Sequence, residues 1–291
     1  MANVEVFSVK EKPQWCVGCG DYGILASLKA AISELEINPN EIVIASGIGC
    51  GSKIPHYLRS YGYEGLHGRI LPLAEGIKMA NPKLTVIGIG GDGDGLSEGG
   101  NHFLHAPRKN VDYTYIVQDN HIYALTTGQA SPTTPKGLKN KTSPTEELYE
   151  QMKPLAAALV NGSGFVAASF AGNIKHTTEM MKRAITHRGF SYLNIYQPCV
   201  SWNNVNTYQW YMQRCYDLQQ AGHDSSNFDA ALAKALEPYR NNFEKLPVGI
   251  FYEDKQRKSL DEIHPTLMKG IVPATKDISN IDISKMLEEA L

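Results

Sequence analysis

No stretch of the 291 residues strings together the roughly 18 apolar residues of a membrane-spanning helix. The longest apolar runs, such as LTVIGIGG, are strand-sized. The opening MANVEVFSVKEKPQ lacks the charged-then-apolar pattern of a secretory signal, so a cytoplasmic location is expected. An excess of positive charge is also missing: 28 Lys and Arg stand against 30 Asp and Glu, a net charge of −2. That balance leaves no footprint for nucleic acid, and no charge run reads as an electrostatic tail. Internal repeats and low-complexity tracts are absent. Cysteine is sparse, with five residues. In a reducing compartment so few thiols do not read as a disulfide framework, and metal ligation or redox chemistry gains weight. What remains is an ordinary globular composition, 42% hydrophobic and 20% charged. It excludes global disorder and allows one large core or two modest ones.

Short apolar runs alternate with helical patterns. Residues 41–46, 84–90, 113–118, 165–169 and 192–197 are continuous apolar runs, as strands buried on both faces of a parallel sheet are. In 21–36, Ile24, Leu25, Leu28, Ala31, Ile32 and Leu35 form one stripe, with Asp21 as the expected N-cap. Segments 71–80, 97–106, 146–160 and 173–188 are further expected helices. The alternation predicts an α/β fold, a doubly wound and mostly parallel sheet. Such sheets bind ligands beyond the carboxyl ends of their strands. Residues 126–145, rich in Gly, Pro, Ser and Thr, are long for a simple connection and read as a functional or mobile loop. Beyond residue 200 the pattern weakens to one helix, SSNFDAALAKALEPY, and one strand, VGIFYED.

The stretch LTVIGIGGDGDGLSEGGNHF (84–103) carries the most chemistry. A buried strand ends in glycines, which let a backbone approach a phosphate and turn N–H groups toward it. Carboxylates in such a turn would repel a diphosphate unless a cation lay between them. Asp92 and Asp94 therefore point to Mg²⁺ held by hard oxygen ligands. Asn120 ends the next strand, with 26 residues between it and Gly93, a spacing that suits one helix and one strand. Without that spacing the turn would be an ordinary Gly/Asp-rich connection. With it, the stretch resembles the thiamine diphosphate motif. The resemblance implies that Asp92, Asn120 and the Ile122 carbonyl hold Mg²⁺.

Cys16 and Cys19 flank two residues in WCVGCG; Cys50 follows the strand at 41–46, and Cys199 the strand at 192–197. Cys50 and Cys199 thus belong at the carboxyl edge, where the N-terminal pair could join them, while Cys215 falls in a helical context. Four thiolates suit structural zinc or an iron–sulfur cluster. A thioredoxin-like pair would open a helix after a strand, and no strand precedes Cys16.

Thiamine diphosphate with four such cysteines resembles the 2-oxoacid:ferredoxin oxidoreductases, specifically their β subunit. The likeness runs through most of residues 12–215, in WCVGCG, GIGCGSK, LHGRILPLAEGIKMANP, GGDGDGLSEGGNHF, DNHIYALTTGQASPTTP and QPCVSWN. It implies a 4Fe–4S cluster on Cys16, Cys19, Cys50 and Cys199. It also implies a thiamine diphosphate site lined by Ile48, Gly49, Cys50, Gly51, His67, Gly93, Asp94, Ala124 and Leu125. Residues 1–215 would form the cofactor-binding domain. Residues 216–291 would be an extension packed on it or on the partner. The implied reaction is the reversible conversion of a 2-oxoacid and coenzyme A to acyl-CoA and CO₂, with two electrons passing to ferredoxin.

No second α/β unit follows residue 215. The glutamate that activates the cofactor, and so the catalytic group, is therefore expected on an α subunit, in a heterodimer or a dimer of heterodimers. Some relatives carry Lys, tied to coenzyme A, where this chain has Thr127. The resemblance leans to 2-oxoglutarate over pyruvate or a broad range of 2-oxoacids.

Overall fold

The computed structural model describes residues 3–277, 279 and 282–290. Eight strands form one sheet: β1 (Ile42–Ser46), β2 (Tyr61–Glu64), β3 (Thr85–Gly91), β4 (Thr114–Asp119), β5 (Phe165–Phe170), β6 (Ser191–Tyr196), β7 (Cys215–Asp217) and β8 (Leu246–Glu253). Their order is β2-β1-β3-β4-β6-β5-β8-β7. All pairings are parallel except β5 with β8, where the register shifts between Val166 and Ala167. Strands β1, β4, β5 and β6 are buried at every position, the result of cover on both faces.

Alternate residues of each strand face opposite helical layers. Ile87, Ile89, Leu193 and Ile195 pack with Ile24, Leu28 and Ile32 of α1 (Asp21–Glu34) and with Met180, Met181 and Ala184 of α5 (Ile174–Thr186). Val86, Tyr115 and Tyr192 face α2 (Ile70–Ala80), α3 (Gly100–Lys109), α4 (Pro154–Val160) and α7 (Phe228–Arg240), through Leu71, Phe103, Leu159 and Ala231. Each large apolar side chain fully buried this way contributes roughly 1.5–3 kcal/mol. Among the described residues no helix is long and apolar enough to cross a membrane.

Four local expectations change. The helix expected at 146–160 begins only at Pro154, because the buried Glu147 carboxylate accepts the N–H groups of Leu148 and Tyr149 and so competes with helical bonding. Asp21 is the first helical residue rather than the cap, which is Gly20. Cys215 lies in β7, not in a helix. Between β3 and α3 the chain makes a wide π-type turn, Gly93–Glu98, a form often found at functional sites.

From β1 the chain runs outward to β2 on one side, and from β3 it runs to β4 on the other. The carboxyl ends of β1 and β3 therefore flank the point where the winding reverses, which is where open α/β sheets leave a crevice.

Candidate active site at the carboxyl edge of the sheet

A cleft opens at that reversal. Its lining includes Ile48, Gly49, Cys50 and Gly51 after β1, His67 after β2, Gly91 at the end of β3 and Asp92 through Asp94 after it, Asn120 and Ile122 through Thr126 after β4, and Gln118 and Gln197 at strand ends. All nine residues expected to contact thiamine diphosphate lie in this wall, as do Asp92, Asn120 and Ile122. Gly91, Gln118, Tyr123, Thr126 and Gln197 are additions not named among the expected site residues. The two glutamines had a signal in the sequence, a polar residue closing an otherwise apolar strand.

Asp94 ties the walls together. Its buried carboxylate accepts the Ile48 N–H at 3.1 Å, the Ser52 hydroxyl at 3.3 Å, the Gly68 N–H and the His67 Nδ1–H at 2.6 Å. Burial pushes its pKa up, against these donors, which hold it down. With Nδ1 donating to Asp94, the other ring nitrogen of His67, Nε2, lies 3.5 Å from Glu98. A Cβ on Gly47 would lie 2.1 Å from an Asp94 oxygen, so this position admits no side chain. Gly49, at φ +142°, has open space before it, as has Gly91. Room for a ligand's backbone contacts thus lies where glycine leaves it.

Asp92 is 1% exposed and sits one residue beyond β3. It accepts hydroxyls from Ser131 at 2.5 Å and Thr133 at 2.6 Å, both from the long loop, so part of that loop forms the floor of the site. The Thr133 hydroxyl is also 2.7 Å from Asp119, although its one proton can serve only one carboxylate. Burial and then the Asp119 charge push Asp92 up to about 6. Asp119 goes the other way: burial would raise it, but His121, 3.2 Å away, overcomes that and holds it down. His121 takes φ +63°, turning the chain sharply after Asn120. Asn120 Oδ1 accepts the Ile122 N–H at 3.0 Å. Among the described residues nothing donates to the Ile122 carbonyl. One buried carboxylate, one amide oxygen and one free carbonyl are a hard-oxygen set that fits Mg²⁺.

Four cysteines gather beside the cleft. Gly20 N–H donates to Pro198 O, Gln197 Nε2 to Cys19 Sγ at 3.3 Å, and Trp15 Nε1 to Cys50 O at 2.7 Å, which binds the N-terminal loop to the ends of β1 and β6. A thiolate at Cys199 would be felt at Cys19 and Cys50, and one at Cys16 would be felt at Cys50 and Cys199, each raising its neighbour's pKa. Burial pushes Cys50 up to about 11, and Cys19 and Cys199 also upward, so without a cation these thiols hold their protons. The N–H groups of Trp202, Ser201 and Asn203 face Cys199 and favour its thiolate. Among the described residues no three His, Cys, Asp or Glu side chains converge closely enough to hold a single metal ion. As placed, the thiols are not a one-ion tetrathiolate. Cys50 alone belongs to both the quartet and the cleft. Cys215 lies apart, in a groove with His176 and Asp217.

Residues 47–195 match the family model described as thiamine pyrophosphate enzyme, C-terminal TPP binding domain. Residues 199–269 match the model for the C-terminal part of the pyruvate ferredoxin oxidoreductase beta chain. The chain is 42% identical, over 83% of its length and 82% of the relative's, to the 2-oxoacid:ferredoxin oxidoreductase subunit beta of Saccharolobus solfataricus. It belongs to the 2-oxoacid:ferredoxin oxidoreductase β-subunit family. It is 38% identical to subunit beta of 2-oxoacid:ferredoxin oxidoreductase 1 from Aeropyrum pernix, over 94% of this chain and 89% of that one. A solved structure, the 2-oxoglutarate:ferredoxin oxidoreductase from Magnetococcus marinus with 2-oxoglutarate, coenzyme A and succinyl-CoA bound, is similar at TM-score 0.88 and 36% identity, covering 99% of this chain and 96% of that one. This β subunit is thus an oxidoreductase component with a thiamine diphosphate-binding fold.

Proposed function

We propose that this β subunit binds thiamine diphosphate, Mg²⁺ and a 4Fe–4S cluster, and that with an α subunit it catalyses the reversible, coenzyme A-dependent oxidative decarboxylation of 2-oxoglutarate to succinyl-CoA and CO₂, with electrons leaving to ferredoxin. The observation that carries this reading is Cys50, which lines the cleft and also belongs to the thiol quartet. Bound thiamine diphosphate would supply a carbon nucleophile and an electron sink, and the cluster one-electron acceptance. This chain's residues would bind and orient. Asp92, Asn120 and the Ile122 carbonyl would hold Mg²⁺. The His67 ring, steadied by Asp94, would present Nε2 to the diphosphate. The four cysteines would ligate the cluster, with the amides around Cys199 stabilising sulfur charge. No carboxylate other than Asp92 and Asp94 lines the cleft among the described residues. Both have partners, which supports an activating glutamate on the α subunit.

The preference for 2-oxoglutarate rests on the Magnetococcus marinus relative, whose structure holds that substrate. Steady-state viologen reduction by the assembled heterodimer, comparing 2-oxoglutarate with pyruvate, tests it. A higher kcat/KM for 2-oxoglutarate is expected, and a preference for pyruvate would overturn the substrate assignment.

A further inference from the structure

One side chain joins the wall of the cleft to the thiol quartet by a hydrogen bond. Gln197 follows β6, lines the cleft and is 2% exposed. Its main chain is fixed, because its N–H donates to Asp119 O at 2.9 Å. Its amide Nε2 donates to Cys19 Sγ at 3.3 Å. Gly20 makes room for that reach: a Cβ there would lie 2.7 Å from Gln197 Cγ.

The two buried members of the quartet, Cys19 and Cys199, are supplied with donors differently. Cys199 faces the N–H groups of Ser201, Trp202 and Asn203. Cys19 faces one main-chain N–H, that of Asp21, and one side-chain donor, Gln197. Against these donors stands the buried Asp21 carboxyl, with Oδ2 3.4 Å from the same sulfur. A Cys19 that ligates a cluster does so as a thiolate and has no proton left for Asp21. Only the N–H side of the Gln197 amide suits such a sulfur. In a buried place a single polar donor counts for more than in water. Hydrogen bonds to cluster sulfurs favour the reduced, more negative state and so raise the reduction potential.

We infer that Gln197 is a positioning residue for electron transfer, holding the cluster's reduction potential up through its bond to Cys19. The inference rests on the four cysteines binding the cluster proposed above. Each transfer moves one electron: the substrate held on the cofactor loses it, and the cluster gains it. The amide exchanges no proton. It stabilises the charge that arrives at Cys19, and its place in the cleft wall puts that stabilisation on the cleft side of the sulfur.

The test uses the anaerobic heterodimer with Gln197→Met, which keeps the length of the side chain and removes the donor. Iron and acid-labile sulfide should stay at the unsubstituted content. In a redox titration followed by EPR, the reduced-to-oxidised ratio of the cluster at a fixed potential should fall about tenfold, a downward shift of about 59 mV for one electron. Pulsed EPR of the reduced cluster in D₂O should lose the coupling of one exchangeable site. Gly20→Ala reaches the same contact by a second route, since its Cβ displaces Gln197 from Cys19 while the amide remains. The potential should fall in that variant too. An unchanged potential in Gln197→Met at full iron content overturns the inference and leaves the proposed function standing. So does loss of iron from both variants, which would make Gln197 a structural contact only. An unsubstituted heterodimer without iron overturns both.

Discussion

Asp92 concentrates the electrostatics of the cleft in one side chain. It is buried, faces Asp119 through a shared Thr133 hydroxyl, and is pushed from 3.8 up to about 6. A raised carboxyl pKa means that between about pH 4 and 6 the folded chain holds a proton the unfolded chain has lost. The stability of the metal-free chain should therefore fall as pH rises through that window. Mg²⁺ binding needs the carboxylate, so it should strengthen over the same window and release a proton below about pH 6. Calorimetry in buffers of different ionisation enthalpy reads both the affinity and the proton. Asp92→Ala should weaken Mg²⁺-dependent thiamine diphosphate binding by about 100-fold. Retained binding at full affinity would remove Asp92 from the site.

At the scale of elements, the sheet holds a second buried charge cluster, at the opposite edge from the cleft. Lys78 of α2 pairs with Asp112 at 2.9 Å, and Asp112 also accepts the Gly189 N–H and the Arg188 guanidinium. Asp112→Ala strands a buried ammonium and should cost about 3 kcal/mol in urea unfolding. Arg188 is half-exposed, so Arg188→Ala should cost under about 1 kcal/mol. Similar losses from both would mean that Lys78 finds solvent. The central strands were legible in the sequence because burial on both faces leaves an unbroken apolar run. Strand β2 was not: it is exposed at all positions and pairs on one side only, so its composition carries no hydrophobic signal. The three-residue β7 is too short for any pattern. The truncated α4 escaped because the Glu147 carboxylate captures the Leu148 and Tyr149 N–H groups locally, and the π-type turn because Asp94 within it is held by Ile48, His67 and Gly68 from distant segments. In the cleft, the glycine turn and Asn120 were legible through spacing. Ser131 and Thr133 were not, since nothing in a Ser- and Thr-rich loop marks which hydroxyls return to the sheet.

For the whole molecule, two sites meet at one edge. The winding reversal puts the cleft between β1 and β3, and the ends of β1 and β6 bring Cys50 and Cys199 to the N-terminal pair. Val17, Leu66, Leu125 and Trp202, each at or within three residues of an expected site residue, are exposed apolar side chains, as expected where a site is completed by a second protein. The purified chain alone should reduce no viologen with any 2-oxoacid, and adding the α subunit should restore turnover. Activity of the chain alone would refute the divided site. The central claim, that the cleft and the thiol quartet work as one electron path, has a direct test in the anaerobic heterodimer. It should carry about four iron atoms and four acid-labile sulfides per β chain. Its brown iron–sulfur absorption should bleach when 2-oxoglutarate is added without ferredoxin. A colourless protein, bound zinc, or a cluster whose absorption ignores the substrate would contradict the account.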